Sequence, residues 1–324
     1  MKRLLGICFI LIFLAPILFV NNALSQETYP VRPISLVIGV TAGMGDTLVR
    51  VICRVAEKEL GQPIIVENKP GGGGTIALNY VLKSRPDGYT LGGCASTLLI
   101  VLPHIRELPY NVLTDITDIA TVCNYPFGLC VKADAPWNSY EDVLAYARKN
   151  PGKFTYATFA GAPVQHVCME RIAMKEGIKW TAIPFKGGGE SVAACLGGHT
   201  DAVAQGSIDL LPHINAGKLK LLLALNDKKW PQYPNVPCIL EKGYNFHAMS
   251  YISFVGPKNL PESIRQKLEN VFKKAVEDPS VIQMVNQFGL ELACMGGKEY
   301  SALWRQDYDE MGRVLKAMGM GDKK

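Results

Sequence analysis

The sequence predicts an α/β fold made of two interwoven lobes, each with a largely parallel sheet covered by helices. Short β-branched and aliphatic runs alternate with amphipathic stretches, the connections are short, and no low-complexity linker divides the chain. The chain has 324 residues, of which 48% are hydrophobic and 19% charged, as in globular proteins. This length corresponds to about two domains.

The amino terminus has the pattern of a secretory signal peptide. Lys2 and Arg3 form a basic start, residues 4–20 are almost continuously apolar, and small residues at Ala23 and Ser25 suit cleavage after Ser25. A transmembrane anchor is the alternative, but an apolar run of about 17 residues is at the lower limit for a span. We therefore expect a signal peptide over residues 1–25 and a periplasmic mature chain.

The charge does not favour a nucleic-acid partner. The formal charge is +5 and falls to +3 when Lys2 and Arg3 leave with the signal peptide. A charge this small and this scattered along the chain gives no basic patch for a polyanion.

Eight of the nine cysteines remain in the mature chain, and their spacing is irregular. There is no CxxC, and no histidine lies at metal-ligand spacing beside a cysteine, so we expect no metal site. Most of the cysteines lie among apolar or small residues, where free thiols behave as small buried side chains. We expect mostly free thiols, with Cys123 and Cys130 the pair best placed for a disulfide across a turn.

The first third of the mature chain has a βαβαβ pattern. Aliphatic runs predict strands over 34–40, 63–67 and 89–95. Apolar residues at helical spacing predict helices over 47–60 and 75–83, with Asp46 as the amino-terminal cap of the first.

The same alternation continues to the carboxyl terminus. Strands are predicted over 127–131, 154–158, 182–185, 202–204, 219–225 and 252–255. Helices are predicted over 139–149 with a Ser139 cap, over 164–176, and up to residue 196. Residues 261–320 are expected to be mostly amphipathic helix, most clearly over 262–277.

Glycine-bearing loops at 41–46, 68–74, 159–163 and 186–189 follow predicted strands. In open α/β sheets ligands bind at the carboxyl ends of the strands, where loop amides and helix amino termini favour an anion. GxxxxGK[ST] is absent and no loop has the GxGxxG pattern in its required context, so the sequence gives little support to nucleotide binding. The glycines could also serve only tight turns, above all at 68–74.

Catalytic patterns are weak. No serine lies in a G-x-S-x-G elbow, and no histidine has an evident catalytic partner. His166 has a capping or packing role or contacts a ligand, and Asp46 caps a helix or also contacts a ligand. We do not expect an enzyme.

Several segments together resemble one family. They are Tyr29-Pro30-Val31-Arg32-Pro33-Ile34, Asp46-Thr47-Leu48-Val49-Arg50, 60–71, Pro86-Asp87-Gly88-Tyr89-Thr90-Leu91, Pro184-Phe185-Lys186-Gly187-Gly188, 196–201 and Ala216-Gly217-Lys218-Leu219. Together these segments are similar to the tripartite tricarboxylate transporter substrate-binding proteins, also called the Bug family of extracytoplasmic solute receptors. The similarity runs from about residue 29 to about residue 320.

The resemblance implies a type II periplasmic binding-protein fold, with two α/β lobes joined by crossing strands around a ligand cleft. It implies a receptor that captures a small organic carboxylate and delivers it to membrane permease subunits, with no cofactor, and we expect a monomer. A receptor of the same fold that signals to a membrane-bound partner is the alternative. Carried over by position, the ligand-binding residues are Thr41, Ala42, Gly43, Asp46, Ser96, Thr97, Phe159, Gly161, His166, Gly187, Gly188 and Gln205.

The first lobe is expected over 26–125 and 250–324, and the second over 126–249.

The loops at 39–44 and 159–163 have fewer glycines and more apolar bulk than is usual in the family. They suggest a ligand with an apolar or aromatic body.

Overall fold

A computed structural model describes residues 29–40, 43–159 and 163–321. The signal peptide expected over residues 1–25 lies outside these ranges.

Residues 34–125 alternate strands and helices. The elements are β1 (Ile34–Ile38), α1 (Met44–Leu60), β2 (Ile64–Asn68), α2 (Thr75–Leu82), β3 (Thr90–Ala95), the short helices α3 (Thr97–Ile100), α4 (Leu102–Ile105) and α5 (Val112–Asp115), and β4 (Ile116–Tyr125). Helix α1 ends where Gly61 takes a left-handed backbone with φ 69°, a conformation that glycine adopts without strain.

Residues 127–224 continue the alternation. They form β5 (Phe127–Lys132), α6 (Tyr140–Lys149), β6 (Thr155–Phe159), α7 (Val164–Glu176), β7 (Thr181–Phe185), α8 (Gly188–Leu196), β8 (Ala202–Gly206), α9 (Ser207–Asn215) and β9 (Leu219–Ala224). Ser139 caps α6 as predicted, because its side chain accepts the Asp142 N–H while Asp142 bonds back to the Ser139 backbone.

The remaining elements return to the first sheet. They are β10 (Ser250–Pro257), α10 (Glu262–Ala275), α11 (Pro279–Gln287), β11 (Glu291–Leu292) and α12 (Gly297–Ala317). The helical region expected over 261–320 is thus divided among three helices with one short strand between them.

Two sheets carry the fold. The first has the order β11-β4-β10-β3-β1-β2 and the second β7-β6-β8-β5-β9. Strands β1, β2 and β3 are parallel, as are β6, β7 and β8. Strand β10 runs antiparallel to both β3 and β4, and β5 runs antiparallel to β8 and β9.

The chain crosses between the sheets at Pro126, which alone separates β4 from β5. Because β10 is antiparallel to both neighbours, β4 ends at the edge where β1 and β3 end. In the second sheet Phe127 pairs with Gly206, so β5 begins beside the end of β8. The carboxyl ends of the parallel strands in both sheets therefore face the crossing, and a cleft between them follows.

Buried side chains hold the helices to the sheets. In the first sheet Phe254 packs on Phe272 of α10, with ring centroids 4.2 Å apart. In the second sheet Tyr156 packs edge-on against Trp180 at 5.9 Å. Trp304 of α12 belongs to an apolar cluster that includes residues of both sheets, so this helix packs near the junction.

The predicted strands are confirmed, with ends that differ by about two residues or fewer. Six elements were not predicted, namely β4, α9, the short helices α3, α4 and α5, and the two-residue β11. Strand β4 alternates polar and apolar residues weakly, yet it pairs with β10 along its length and is largely buried. Helix α9 contains Pro212, a residue that disfavours helix interiors but is tolerated here one turn from the end.

Two local predictions were wrong. Gly43, and not Asp46, precedes α1, and no side chain caps that helix, because Asp46 lies inside the first turn and bonds elsewhere. Cys123 and Cys130 are free thiols on strands of different sheets. The direct crossing at Pro126 continues the chain from one sheet to the other instead of turning it back on itself.

Candidate functional site

The candidate site is the cleft between the two facing sheet edges. Its first-sheet side is formed by the ends of β1 and β3 and by the start of α1. Its second-sheet side is formed by the ends of β6, β7 and β8 and by the starts of α7, α8 and α9. Thr41, Ala42 and Gly161, which the sequence places in this cleft, lie outside the described residues.

Asp46 organises the first-sheet side. Both oxygens of its carboxylate accept from Nε of Arg50 at 3.0 Å, and Oδ1 also accepts from Nδ2 of Asn68 at 3.0 Å. Asn68 in turn donates to the carbonyl of Val40 at 3.0 Å. Burial by itself would raise the pKa of Asp46, but hydrogen bonds from Arg50 and Asn68 outweigh this effect and lower the pKa. The carboxylate is therefore ionised, and Arg50 compensates its charge.

The Ser96 side chain also forms hydrogen bonds within the first-sheet side of the cleft. Its hydroxyl accepts from the Tyr251 N–H at 2.8 Å and lies 3.2 Å from the Tyr300 hydroxyl. Ser96 is buried, whereas Thr97 at the start of α3 is half-buried. The structure therefore gives Ser96 a role in joining β3 to β10 and α12, and leaves Thr97 nearer to solvent.

A chain of hydrogen-bonded side chains lines the second-sheet side. Gln165 donates through Nε2 to Oε1 of Gln205 at 3.2 Å, and Gln205 donates through Nε2 to Oγ of Ser191 at 3.3 Å. Ser191 donates to the carbonyl of Gly187 at 3.0 Å. The network connects the starts of α7 and α8 through the end of β8, and all of its side chains are neutral.

Three buried polar atoms on residues at the end of β6, at the start of α7 and just after β8 have no hydrogen-bond partner. They are Oγ1 of Thr158, Oε1 of Gln165 and Oγ of Ser207, on residues that are 2%, 2% and 0% exposed. Buried polar groups in folded proteins are nearly always paired, so three unpaired atoms at one sheet edge are unusual. Such atoms gain free energy when a ligand supplies the missing partner.

His166 is held one turn into α7. Its Nδ1 lies 2.7 Å from the Tyr156 hydroxyl, which donates to Oε1 of Glu170 at 2.7 Å. Because the single hydroxyl proton of Tyr156 goes to the carboxylate, Nδ1 of His166 carries the proton of the other bond. Burial lowers the pKa of His166 against the opposing effect of Glu170, which favours a neutral ring whose Nε2 is an acceptor.

Asp209 places a carboxylate at the start of α8. A Cβ on Gly188 would lie 2.1 Å from Oδ2 of Asp209, so only glycine leaves room for this approach. Burial raises the pKa of Asp209 to about 6. The hydroxyl of Tyr125 shares this region, since the negative charge of Asp209 adds to burial in raising the pKa of Tyr125.

Tyr125 packs where the chain crosses between the sheets. A Cβ on Gly206 would lie 1.9 Å from Cε1 of the Tyr125 ring. Phe159 and Phe185 are neighbours in register at the ends of β6 and β7, and both are half-buried. Half-buried aromatic residues thus stand at the ends of two strands of the second sheet.

The sequence reasoning located Gln205, His166, Gly187 and Gly188 at this edge but missed other polar residues beside them. The missed residues are Thr158, Gln165, Ser191, Ser207 and Asp209. One signal was available for Ser207 and Asp209, since they follow a predicted strand at its carboxyl end. No local pattern distinguishes Gln165 or Ser191 from ordinary helix residues.

Other kinds of site find no support in the described ranges. There, no group of three or more His, Cys, Asp or Glu side chains could hold a metal ion. Over the same residues, no helix is both long and apolar enough to cross a membrane.

The fold and the cleft are those of the periplasmic binding proteins. The chain belongs to the tripartite tricarboxylate transporter family receptors, whose family model matches residues 48–320. The UPF0065 protein in the gbd 5′ region of Cupriavidus necator is 36% identical to it over 91% of this chain and 90% of that protein. BugT of Bordetella pertussis is 30% identical over 87% of each chain.

Solved structures agree with this assignment. The periplasmic binding protein BugD superposes with a TM-score of 0.81 at 26% identity, covering 91% of this chain and 100% of that chain. An R. palustris protein solved with adipate shares the fold at a TM-score of 0.82 and 24% identity, over 90% of this chain and 98% of that chain. MatC from Rhodopseudomonas palustris, solved with bound malate, shares the fold at a TM-score of 0.78 and 24% identity, over 89% of this chain and 100% of that chain.

Proposed function

We propose that this receptor is exported, binds a small organic carboxylate in the cleft and delivers it to the permease subunits of a tripartite transporter. The observation that carries the proposal is the pair of facing strand edges, the second of which holds a hydrogen-bonded network of neutral side chains. Family membership supports it, and so do the two relatives of the same fold that were solved with adipate and malate.

The ligand is held without a dedicated arginine. Arg50 is committed to Asp46 and Asn68, and among the described residues no lysine or arginine side chain bonds to the Gln165–Gln205–Ser191 network. Amides and hydroxyls bind a carboxylate less strongly than an arginine fork does, and this favours release to a permease. The proposed contacts are those inferred from the resemblance, with Asp46 and Ser96 positioning the first-sheet loops.

The cleft lies between two lobes, which we place at 26–125 with 250–324 and at 126–249. The direct crossing at Pro126 and the return into β10 at Ser250 support these limits. Closure of one lobe on the other would then enclose the ligand. A monomer suffices, since both sides of the cleft come from one chain.

The same proposal implies that the protein delivers its ligand without converting it chemically. The amides and hydroxyl of the Gln165–Gln205–Ser191 network are neutral groups that can hold a ligand without reacting with it. A ligand released from the loaded protein should be chemically unchanged by mass spectrometry, and conversion of the bound acid would contradict the proposal.

The body of the ligand is expected to be apolar or aromatic. Phe159 and Phe185 support this expectation at the second-sheet side, and Val40 is 50% exposed at the end of β1. Aliphatic and aromatic carboxylates should therefore bind more tightly than citrate, and tighter binding of citrate would contradict this part of the proposal.

The main test is a thermal-shift screen over organic acids. Protein comprising residues 26–324 is unfolded and refolded to remove any carried ligand, then titrated with each acid. An acid at 100 times its dissociation constant should add about 2.7 kcal/mol to the free energy of unfolding. The absence of any shift with all carboxylates would overturn the proposed function.

A further inference from the structure

The orientation of two side-chain amides at the second-sheet side is set by their hydrogen bonds. The Gly206 N–H donates to Oε1 of Gln205 at 3.2 Å, so Nε2 of Gln205 faces Ser191. Oε1 of Gln205 can accept but not donate, and therefore Gln165 must present its Nε2 to it. The group of Gln165 that is left over is its carbonyl oxygen.

This oxygen is an acceptor without a donor. Oε1 of Gln165 is buried and unpaired, and it cannot be satisfied by another acceptor. Oγ of Ser207 and Oγ1 of Thr158 are also buried and unpaired, but a hydroxyl can bond to either kind of group. Of these three atoms, only Oε1 of Gln165 requires one kind of partner, a hydrogen-bond donor.

Asp209 adds negative charge to the same edge. It lies in the first turn of α9, two residues after Ser207, with its carboxylate against Gly188. Ser191 lies three residues after Gly188 on α8, about one helical turn away, so the carboxylate and the polar network are close. No described lysine or arginine pairs with Asp209, and a second anion placed here would be repelled.

We propose that the second-sheet side of the cleft binds a hydrogen-bond donor of the ligand, a hydroxyl or an amine, and disfavours a second carboxylate. This inference rests on the proposed function, which supplies the first carboxylate. It narrows the ligand class to acids whose far end carries a donor, such as ω-hydroxy or ω-amino acids.

The experiment compares acids of equal chain length by titration calorimetry. The set is an ω-hydroxy acid, an ω-amino acid, the dicarboxylate and the plain monocarboxylate, each over a series of lengths, with refolded ligand-free protein. At the best length, a donor-bearing acid should bind at least about tenfold more tightly than the dicarboxylate and the plain acid, because only the donor pairs Gln165.

Gln165→Met removes the unpaired oxygen while keeping the length of the side chain. In this variant the ratio of the affinities for the donor-bearing acid and the plain acid should fall below about threefold, whatever the common loss from the broken Gln165–Gln205 hydrogen bond. Asn79→Leu is the matched control, because Oδ1 of Asn79 is also buried and unpaired but lies on α2, away from this edge. It should leave the tenfold preference unchanged.

The outcomes separate the two proposals. Tightest binding of the dicarboxylate, or equal binding of the plain acid, overturns this inference and leaves the proposed function standing. A full preference that survives Gln165→Met also overturns the assignment to Gln165. If no acid of any length binds, the proposed function and this inference both fail.

Discussion

Asp46 shows how one residue prepares a loop for binding without being free to bind. Its carboxylate accepts three hydrogen bonds, and one partner, Asn68, fastens the carbonyl of Val40. Arg50, which would be an obvious anion-binding residue on its own, is neutralised by the same carboxylate at 3.0 Å. The charges of Arg50 and Asp46 therefore compensate each other at this end of the cleft.

Asp46→Ala should lower the free energy of unfolding by about 2 kcal/mol, because Arg50 and Asn68 lose a shared acceptor. Chemical denaturation measures the change. Glu59→Ala on the same helix is the control, since it removes only the exposed ion pair with Lys274 and should change stability by less than about 1 kcal/mol. Equal effects of the two substitutions would show that the Asp46 network contributes no more than a surface pair.

Asp209 predicts a pH-dependent stability. Its pKa rises from 3.8 to about 6 on folding because the carboxylate is buried, with Tyr125 of β4 and Gly188 of α8 beside it and no described cation paired with it. The penalty is absent below the unfolded pKa, grows as pH rises, and is complete above the folded pKa. Asp209→Asn removes it, so the variant should gain about 2 kcal/mol relative to the parent between pH 4 and pH 7.

The measurement is the free energy of unfolding of both proteins across that pH range. Asp134→Asn, at a carboxylate whose side chain is 74% exposed, serves as the control and should show a difference that hardly varies with pH. A pH-independent difference for Asp209→Asn would contradict the raised pKa of this half-buried carboxylate.

At the scale of elements, the helix amino termini differ in how they are capped. Helix α6 has a complete capping box from Ser139 and Asp142, and both residues were recognisable in the sequence. Helices α1, α7 and α8, which begin at the cleft, have no side-chain cap. The helix starts at the cleft therefore have backbone amides that no side-chain cap occupies.

Ser139→Ala should destabilise the protein by about 1 kcal/mol, because the first turn of α6 loses its acceptor. Ser139→Thr retains a hydroxyl and should stay within a few tenths of a kcal/mol of the parent. Denaturant titration distinguishes the two, and a loss of equal size in both variants would show that packing at residue 139 matters and not the cap.

At the scale of the whole molecule, packing of the fold determines which cysteine thiols are exposed to solvent. Seven of the eight described cysteines are buried and free, and Cys294 is exposed. Burial raises the pKa of Cys53, Cys168 and Cys195 to about 12, which suppresses the reactive thiolate. The fold thus shields seven of the eight described thiols from solvent and oxidants.

Protein comprising residues 26–324 should show one thiol that reacts rapidly under native conditions and eight in denaturant. A chromogenic thiol reagent measures both counts. Cys294→Ser should abolish the rapid reaction and leave seven thiols in denaturant. A count of six in denatured parent protein would reveal a disulfide and contradict the buried free thiols.

The sequence by itself determined the α/β alternation, the strand ends with their glycine loops, the Ser139 cap and the family resemblance. These properties depend on residue spacing and local conformation, which neighbouring residues decide. His166 was singled out near the start of a predicted helix, and Gln205 was carried over by position from the family resemblance.

Only the tertiary structure decided which residues distant in sequence come into contact. The bonds of Asp46 to Arg50 and Asn68, the separation of Cys123 from Cys130, and the meeting of Gln165 with Gln205 each join residues whose approach depends on how sheets and helices pack. The facing of the two sheet edges likewise follows from strand order and direction. Long-range pairing is a property of the assembled fold, so no local pattern of residues contains it.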